Sequence, residues 1–444
     1  MSDSSQLAPG IDADELRDWI QQQRWYASKS RSVAGIEVVE RVALRERPEP
    51  LLLALVQTRF ATGTHELYQL LLGRETFDAL EDPRYALELL RRLDLCDEID
   101  AAEGRFTFHR LDGVVTPPED SDARPMGVEQ SNSSIVFDER LALKVFRKLE
   151  PGVNPELEML RFLTARQFAN IAPLRGWYDY DGQALATTLG VAQQFLPDAI
   201  GGWELALEQT VSHPDSLLDR LGSLGAVTAQ LHTVLASDAS DPAFAPEEPS
   251  QEALSLLTAT IDEDIERIFV RLPDDPRLEP IIGRGQDVRE RLAARAQAGV
   301  GGRVIRTHGD YHLGQTLYTP RGWVIIDFEG EPARPLPERR QKRSPLRDVA
   351  SMLRSFAYVT SAVEIQLGLE APPQFEQRAR EWFLEHYLDE IDVTLLPGGE
   401  AQVANLLSIF ELEKAIYELR YELDNRPDWV SIPVAGITRL LEAA

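Results

Sequence analysis

The sequence predicts an α+β protein: a small α/β cap at the N-terminus, a strand-rich lobe, then a mostly helical lobe. Three observations carry this. Residues 35–73 hold β-prone runs split by Pro and Gly-Thr breakers. The stretch "SSIVFDERLALKVFRKL" reads as strand, tight turn, strand. From Leu205 onward long helical periodicities dominate, broken by one segment, "THGDYHLGQTLYTPRGWVIIDFEGEP". A chain of 444 residues exceeds one ordinary core, so two or three domains are expected.

Taken in order, residues 11–25 suggest a short amphipathic helix with Leu16 and Ile20 on its apolar side. "IEVVERVALRE", "PLLLALVQTRF" and "HELYQLLLG" follow as antiparallel strands, and a helical piece covers residues 85–93. The Pro-, Asp- and Ser-rich "LDGVVTPPEDSDARP" is the linker candidate, which makes 1–115 the cap. The strand-rich lobe is 116–200, with a turn at Asp138-Glu139 and a helix opened by Asn154 as cap and Pro155 in its first turn. "ALATTLGVAQQFLP" is a strand ending at Pro197, and residues 201–444 form the helical lobe.

Composition narrows the function. The charge is 46 minus 73, or −27, which repels nucleic acid and anionic membranes. It also repels a nucleotide triphosphate, so a phosphate site must be built from local cations, backbone amides and metal. Cys96 is the single cysteine and makes no internal disulfide; a buried, inert thiol in a reducing cytoplasm is expected. "MSDSSQLAPG" lacks the basic and apolar parts of a signal peptide, and runs such as "LLLALV" are too short to span a bilayer. A soluble, cytoplasmic protein is the expectation.

Two aspartates sit unusually in the long quoted segment. Asp310 lies between a His-Gly pair and a short polar loop, and Asp327 closes the apolar run Val324-Ile325-Ile326. A carboxylate ending a buried strand is costly unless something binds it. His308-Gly309-Asp310, four residues, then Gln315 has the spacing of a kinase catalytic loop, with Gln in place of Asn. On that reading Asp310 accepts the proton of a substrate hydroxyl, while Gln315 and Asp327 are magnesium ligands. Upstream, Lys144 in "LALKVFRKL" is the strand lysine for ATP phosphates, and Glu156 and Glu158 are the candidate carboxylates to hold it. Glu158 is preferred because it directly precedes the apolar Met159-Leu160. No Gly-rich phosphate loop exists; Ser131, Asn132 and Ser133 of "EQSNSSIVF" stand in its place, although such a string also suits a plain turn.

The stretches "EQSNSSIVF", "LKVFRKLEPGVNPELE", "QQFLPDAIGGWE", "HGDYHLGQTL", "IDFEGEP" and "SPLRDVASMLRSFAY" resemble the maltokinases, which are related to aminoglycoside phosphotransferases and, more distantly, to protein kinases. The resemblance implies a bilobal protein-kinase-like fold with an N-terminal α/β cap domain. It implies phosphorylation of maltose by ATP, with magnesium, at the anomeric hydroxyl, giving maltose 1-phosphate for α-glucan synthesis. "QQFLP" would be the hinge whose backbone receives adenine, which assigns Gln194, Phe195 and Leu196 to the nucleotide. Asp348 in "RDVA" resembles an aspartate that braces the catalytic loop from a helix.

The tail "EKAIYELRYELDNRPDWVSIP" offers the acceptor site. Lys414, Tyr417 and Tyr421 are three and four apart, hence on one helical face, with Glu418 and Glu422 beside them and Trp429 after Pro427. Aromatic faces suit the C–H faces of a pyranose, and charged groups suit its hydroxyls. The bland alternative is an amphipathic helix packing two tyrosines into the core. "YELDNRPDW" resembles the sugar-site segment of the maltokinases, so Lys414, Tyr417, Glu418, Tyr421, Arg426 and Trp429 are assigned to the sugar, with His312 beside the base. "RWYASKSRS" reads as cap packing and "PERRQKRSP" as a solvated loop. Competing readings are a glucosamine kinase, an aminoglycoside phosphotransferase, or a scaffold that binds an enzyme such as trehalose synthase.

Overall fold

The computed structural model describes residues 12–442 apart from positions 48, 75, 112–117, 119–120, 128–130, 184 and 297–300. The chain divides into two compact units, residues up to 164 with 172–197, and residues 165–171 with 198 onward. The second expected boundary, at 200/201, falls close to this division. The linker expected near residue 115 lies largely outside the described residues.

In the first unit the Asp12 carboxylate accepts from the N–H groups of Asp14 and Glu15 and so opens α1 (Ala13–Ile20). Strands β1 (Val33–Arg45), β2 (Leu51–Phe60) and β3 (His65–Leu72) follow as an antiparallel meander. Leu16 and Ile20 pack with Trp25 and Tyr26 against Val56, Tyr68 and Leu70, so "RWYASKSRS" begins as core. Helix α2 (Ala86–Leu95) ends on Cys96 in a left-handed conformation, φ 49°. Cys96 is exposed, not buried as expected, because a left-handed C-cap turns out of the packed face of its helix.

The remaining strands are β4 (Glu98–Asp100), β5 (Gly104–Arg110), β6 (Ala123–Pro125), β7 (Asn132–Phe137), β8 (Leu141–Phe146) and β9 (Lys148–Leu149). After them come α3 (Pro155–Ala165), β10 (Leu174–Gly182) and β11 (Ala186–Gln194). They build a sheet of order β4-β5-β10-β11-β8-β7-β6, while β9 joins the meander as β1-β2-β3-β9. The expected cap and strand-rich lobe are therefore one unit. Strands before residue 115 pair with strands after it in both sheets, and the Gln69 side chain donates to the carbonyls of Phe146 and Leu189 at 3.0 and 2.8 Å. The predicted turn at Asp138-Glu139 lies in the three-residue connection between Phe137 and Leu141 that closes β7 on β8; both residues have positive φ, and the Arg140 N–H donates to the Phe137 carbonyl at 2.9 Å.

The second unit holds β12 (Ile200–Gly201), α4 (Gly202–Ser212), α5 (Pro214–Leu235), α6 (Gln251–Phe269) and α7 (Gly285–Ala296). The hairpin β13 (Thr316–Thr319) and β14 (Gly322–Ile325) follows, then α8 (Leu336–Arg339), α9 (Leu346–Leu367), α10 (Phe375–Glu390), α11 (Glu400–Asn425) and α12 (Ser431–Glu442). Helices α5 and α10 approach closely at Gly225, where a Cβ would stand 2.2 Å from the Phe383 carbonyl oxygen. Among the described residues no helix is long and apolar enough to cross a membrane.

Candidate active site

The hairpin explains the spacing of the second unit's motif. In β13–β14 Thr316 pairs with Ile325, so Gln315 and Ile326 meet at the open end, where the Ile326 N–H donates to the Gln315 carbonyl at 3.1 Å. Asp327 comes next, and the Gln315 amide donates to its carboxylate at 3.0 Å. Asp327 has φ 62°, left-handed for a non-glycine, a conformation that costs about 1–3 kcal/mol and is kept where neighbours over-determine it. An amide and a carboxylate held together on a strained turn are a hard-oxygen pair that fits magnesium.

The loop before the hairpin carries Asp310 and is braced from a distant helix. The Asp348 carboxylate, in the first turn of α9, accepts the N–H groups of His308 at 2.7 Å and Gly309 at 3.0 Å. Two turns on, the Ser355 hydroxyl accepts the Leu313 N–H at 3.0 Å, so one face of α9 holds both ends of the loop. Gly309 has φ 85°, which only a glycine adopts cheaply. Behind Asp348 lies a buried chain: His232 Nε2 at 3.2 Å, with His232 Nδ1 3.0 Å from the Tyr387 hydroxyl. Burial raises the Asp348 pKa. The His232 hydrogen bond and charge, with His308 and the Gly309 N–H, outweigh it and hold the carboxyl below its ordinary value. The bracing read from the resemblance is present in this geometry.

Around Asp310, Lys414 Nζ lies 3.8 Å from one carboxylate oxygen and His312 Nε2 3.9 Å from the other. Burial lowers the His312 imidazole, against the pull of Asp310, and its Nδ1 accepts the Gly314 N–H at 3.1 Å. Helix α11 thus carries Lys414 to the loop. Tyr417 stacks with Tyr421 at 6.4 Å between ring centroids, and the Arg426 guanidinium lies over both Tyr421 and Trp429, at 5.3 and 4.9 Å. Fully buried Glu422 orders this end: it accepts from Arg426 at 2.9 and 2.6 Å and from the Tyr358 hydroxyl at 2.9 Å, and Tyr358 stacks on Trp429.

Glu418 departs from its assignment. It is buried and accepts two bonds from Arg354, at 2.9 and 2.7 Å, inside the helical core. Stepping 100° per residue from Tyr417 turns Glu418 toward α9, so its carboxylate serves the packing of α11 and not a ligand.

In the first unit Lys144 Nζ forms its ion pair with Glu156 at 2.7 Å, not with the expected Glu158. Glu156 lies three and four residues before Met159 and Leu160, hence on their buried face, whereas Glu158 is rotated off it. Adjacency in sequence was the wrong criterion on a helix. Gln193 also donates to Glu156, at 3.2 Å. Of the residues replacing a Gly-rich loop, Asn132 is buried and bonds Ser131 at 3.2 Å, while the Ser133 hydroxyl accepts from buried Arg147 at 2.8 Å. Ser133 is thereby committed within the unit. At the expected hinge, the Gln194 and Phe195 N–H groups already donate to Pro173 and Arg140, at 3.0 and 2.8 Å.

Sequence reasoning missed the surroundings of Lys414 and Tyr417. Glu331, Arg334 and Glu413 line the same cavity, and burial with Glu331 raises the Tyr417 phenol. Glu331 follows Asp327 by one turn, a signal that was legible; Glu413 and His232 gave none, being single polar residues in amphipathic helices.

Transfer of a phosphoryl group to a hydroxyl is the chemistry these charges serve, and the protein is a phosphotransferase. Residues 122–359, just over half of the chain, match the phosphotransferase enzyme family (APH), and the chain belongs to that family. It is an ATP-dependent enzyme with hydroxyl acceptors. Residues 19–85 match the maltokinase N-terminal cap domain. The chain is similar to a glucosamine kinase of Mycolicibacterium smegmatis, 27% identical over 332 residues that cover 72% of this chain and 79% of that protein. It is also similar to a glucosamine kinase of Streptacidiphilus jiangxiensis, 25% identical over 331 residues, 71% and 72% of the two chains. A solved glucosamine kinase in complex with glucosamine, ADP and inorganic phosphate has the same fold: TM-score 0.72, 20% identity, coverage 97% and 99%.

Proposed function

We propose that the enzyme transfers the γ-phosphoryl group of ATP to the anomeric hydroxyl of maltose, giving maltose 1-phosphate and ADP. The observation that carries this reading is the delivery of α11 to the base: Lys414 stands 3.8 Å from Asp310, with Tyr417 one turn further on. The line of Tyr417, Tyr421 and Trp429 offers more aromatic surface than a single pyranose ring covers, and the match to a maltokinase cap domain supports the same acceptor.

Asp310 takes the proton of the C1 hydroxyl as its oxygen attacks the γ-phosphorus; the bond to the β-phosphate oxygen breaks and ADP leaves. The proton then passes to solvent. Lys414, beside Asp310, orients the sugar, while Lys144, fixed by Glu156, holds phosphate oxygens. Asp327 and the amide oxygen of Gln315 would hold magnesium, which neutralises phosphate charge when bound. In this role a trehalose synthase is a proposed partner, as a source of maltose for α-glucan synthesis.

A second reading, glucosamine as acceptor, is favoured by the names of the relatives and by Glu331 and Glu413, which line the cavity beside Tyr417 and suit an ammonium group. ADP release with maltose, glucose, glucosamine and kanamycin separates the two. Preference for maltose supports the first reading. Preference for glucosamine replaces it while leaving the phosphoryl-transfer residues in their roles.

A further inference from the structure

Helix α9 turns one side toward the loop that carries Asp310. Asp348, Ser351 and Ser355 are three and four residues apart, so they share that side. Asp348 accepts the N–H groups of His308 and Gly309, and Ser355 accepts that of Leu313. Ser351 stands between them without such a task. Its hydroxyl oxygen is buried and has no hydrogen-bond partner. The residue lines the cavity bordered by Thr307, Gly309, Lys414 and Tyr417.

Other hydroxyls on the helices of this unit are occupied. Those of Thr210, Thr228, Thr360, Ser408 and Thr438 each donate to the carbonyl four residues back on their own helix. That bond is the ordinary resting place of a helical Ser or Thr. Ser351 does not make it with the Arg347 carbonyl. A buried polar group left unpaired destabilises a fold, so one set in the wall of a binding cavity calls for a partner that arrives with the ligand.

We propose that Ser351 is an acceptor-binding residue whose hydroxyl exchanges a hydrogen bond with a ring hydroxyl of the sugar. Lys414 holds the acceptor beside Asp310 from α11, and Ser351 holds a second hydroxyl from α9. Two anchors on different helices fix the orientation of a ring, which one anchor does not. A site built to pair with a hydroxyl also rejects an acceptor that lacks it, so Ser351 contributes selectivity as well as affinity. The proposal rests on the reading of this cavity as the acceptor site. It holds for either sugar, because maltose and glucosamine both carry several ring hydroxyls.

The test is steady-state ADP release by the full chain, comparing Ser351→Ala, Ser351→Cys and Lys414→Met with the native protein. The acceptors are the preferred sugar of the panel and its monodeoxy derivatives. Ser351→Ala should raise the KM for the sugar about three- to tenfold, the worth of one neutral hydrogen bond, and leave the KM for ATP unchanged. Ser351→Cys, a weak donor of similar shape, should fall between. One monodeoxy sugar should bind the native enzyme more weakly than its parent, and Ser351→Ala should not tell the two apart. The Tm of Ser351→Ala should be unchanged or slightly raised, because an unpaired polar group leaves the interior. An unchanged sugar KM in Ser351→Ala overturns the proposal. If Lys414→Met raises that KM, the acceptor reading stands and only Ser351 falls; if neither variant changes it, the reading of the cavity falls as well. A lower Tm with sugar and ATP affected alike assigns Ser351 to packing and overturns the proposal too.

Discussion

Replacing Asp348 by Asn keeps the volume of the side chain and removes its charge. The carboxylate accepts the His308 and Gly309 N–H groups at 2.7 and 3.0 Å, and Asn offers one oxygen and one NH2 in their place. One backbone donor then faces another donor in a buried site. Hydrogen bonds to charged groups contribute about 1.5–3 kcal/mol each, and an orphaned buried donor costs a similar amount, so the loss is about 2–4 kcal/mol. For a unit of this size that is a fall of roughly 5–15 °C in Tm. Relaxation of the loop to escape the clash moves Asp310, and a displacement of about 1 Å is worth roughly a hundredfold in rate. Asp348→Asn should therefore lower kcat about a hundredfold while leaving the KM for ATP within about threefold. ADP release and thermal melts read both quantities. Near-native kcat together with an unchanged Tm would refute the bracing argument, since it would mean that the loop holds Asp310 without Asp348.

Three further outcomes are expected. Lys414→Met should raise the KM for sugar at least tenfold with little change in the KM for ATP; equal changes in both would remove Lys414 from the acceptor site. Glu418→Gln strands the buried Arg354, and breaking such a pair costs about 3–5 kcal/mol; the expected sign is a much lower Tm with the sugar KM nearly unchanged, and the reverse pattern would return Glu418 to the sugar. Because the folded Asp348 carboxyl sits below its ordinary value, its contribution to stability is complete above the unfolded pKa, about 4, and is lost as pH falls through the lower folded value. Urea titrations of the native protein and Asp348→Asn should accordingly converge as pH falls below about 4, and a gap that stays constant would contradict the linkage.

The elements whose information is local were legible in the sequence. Alternation and turn residues placed the β7–β8 hairpin, and the two residues at positive φ are the Asp138-Glu139 pair expected there. The distance from Gln315 to Asp327 is a tight hairpin's length, so the sequence alone brings amide and carboxylate together. A resemblance of motifs reached the wider phosphotransferase family for the same reason: the motifs are contiguous.

Packing decided the rest. Whether Glu156 or Glu158 meets Lys144 depends on which face of α3 is buried, and that face is set by what the helix packs against. Glu418 and Tyr417 are neighbours in sequence, yet one enters the core against Arg354 and the other lines a cavity, because a helix turns by 100° between them. The extent of the first unit followed from β9 and β5 pairing across the expected linker, a non-local choice that no composition shift announces. Around the basic stretch, charge could be counted from the sequence, and the Arg334–Glu331 pair, three residues apart, is a local contact. The pairing of Arg347 with Glu413 was not legible, because it joins α9 to α11 and is set by folded distance and not by order along the chain.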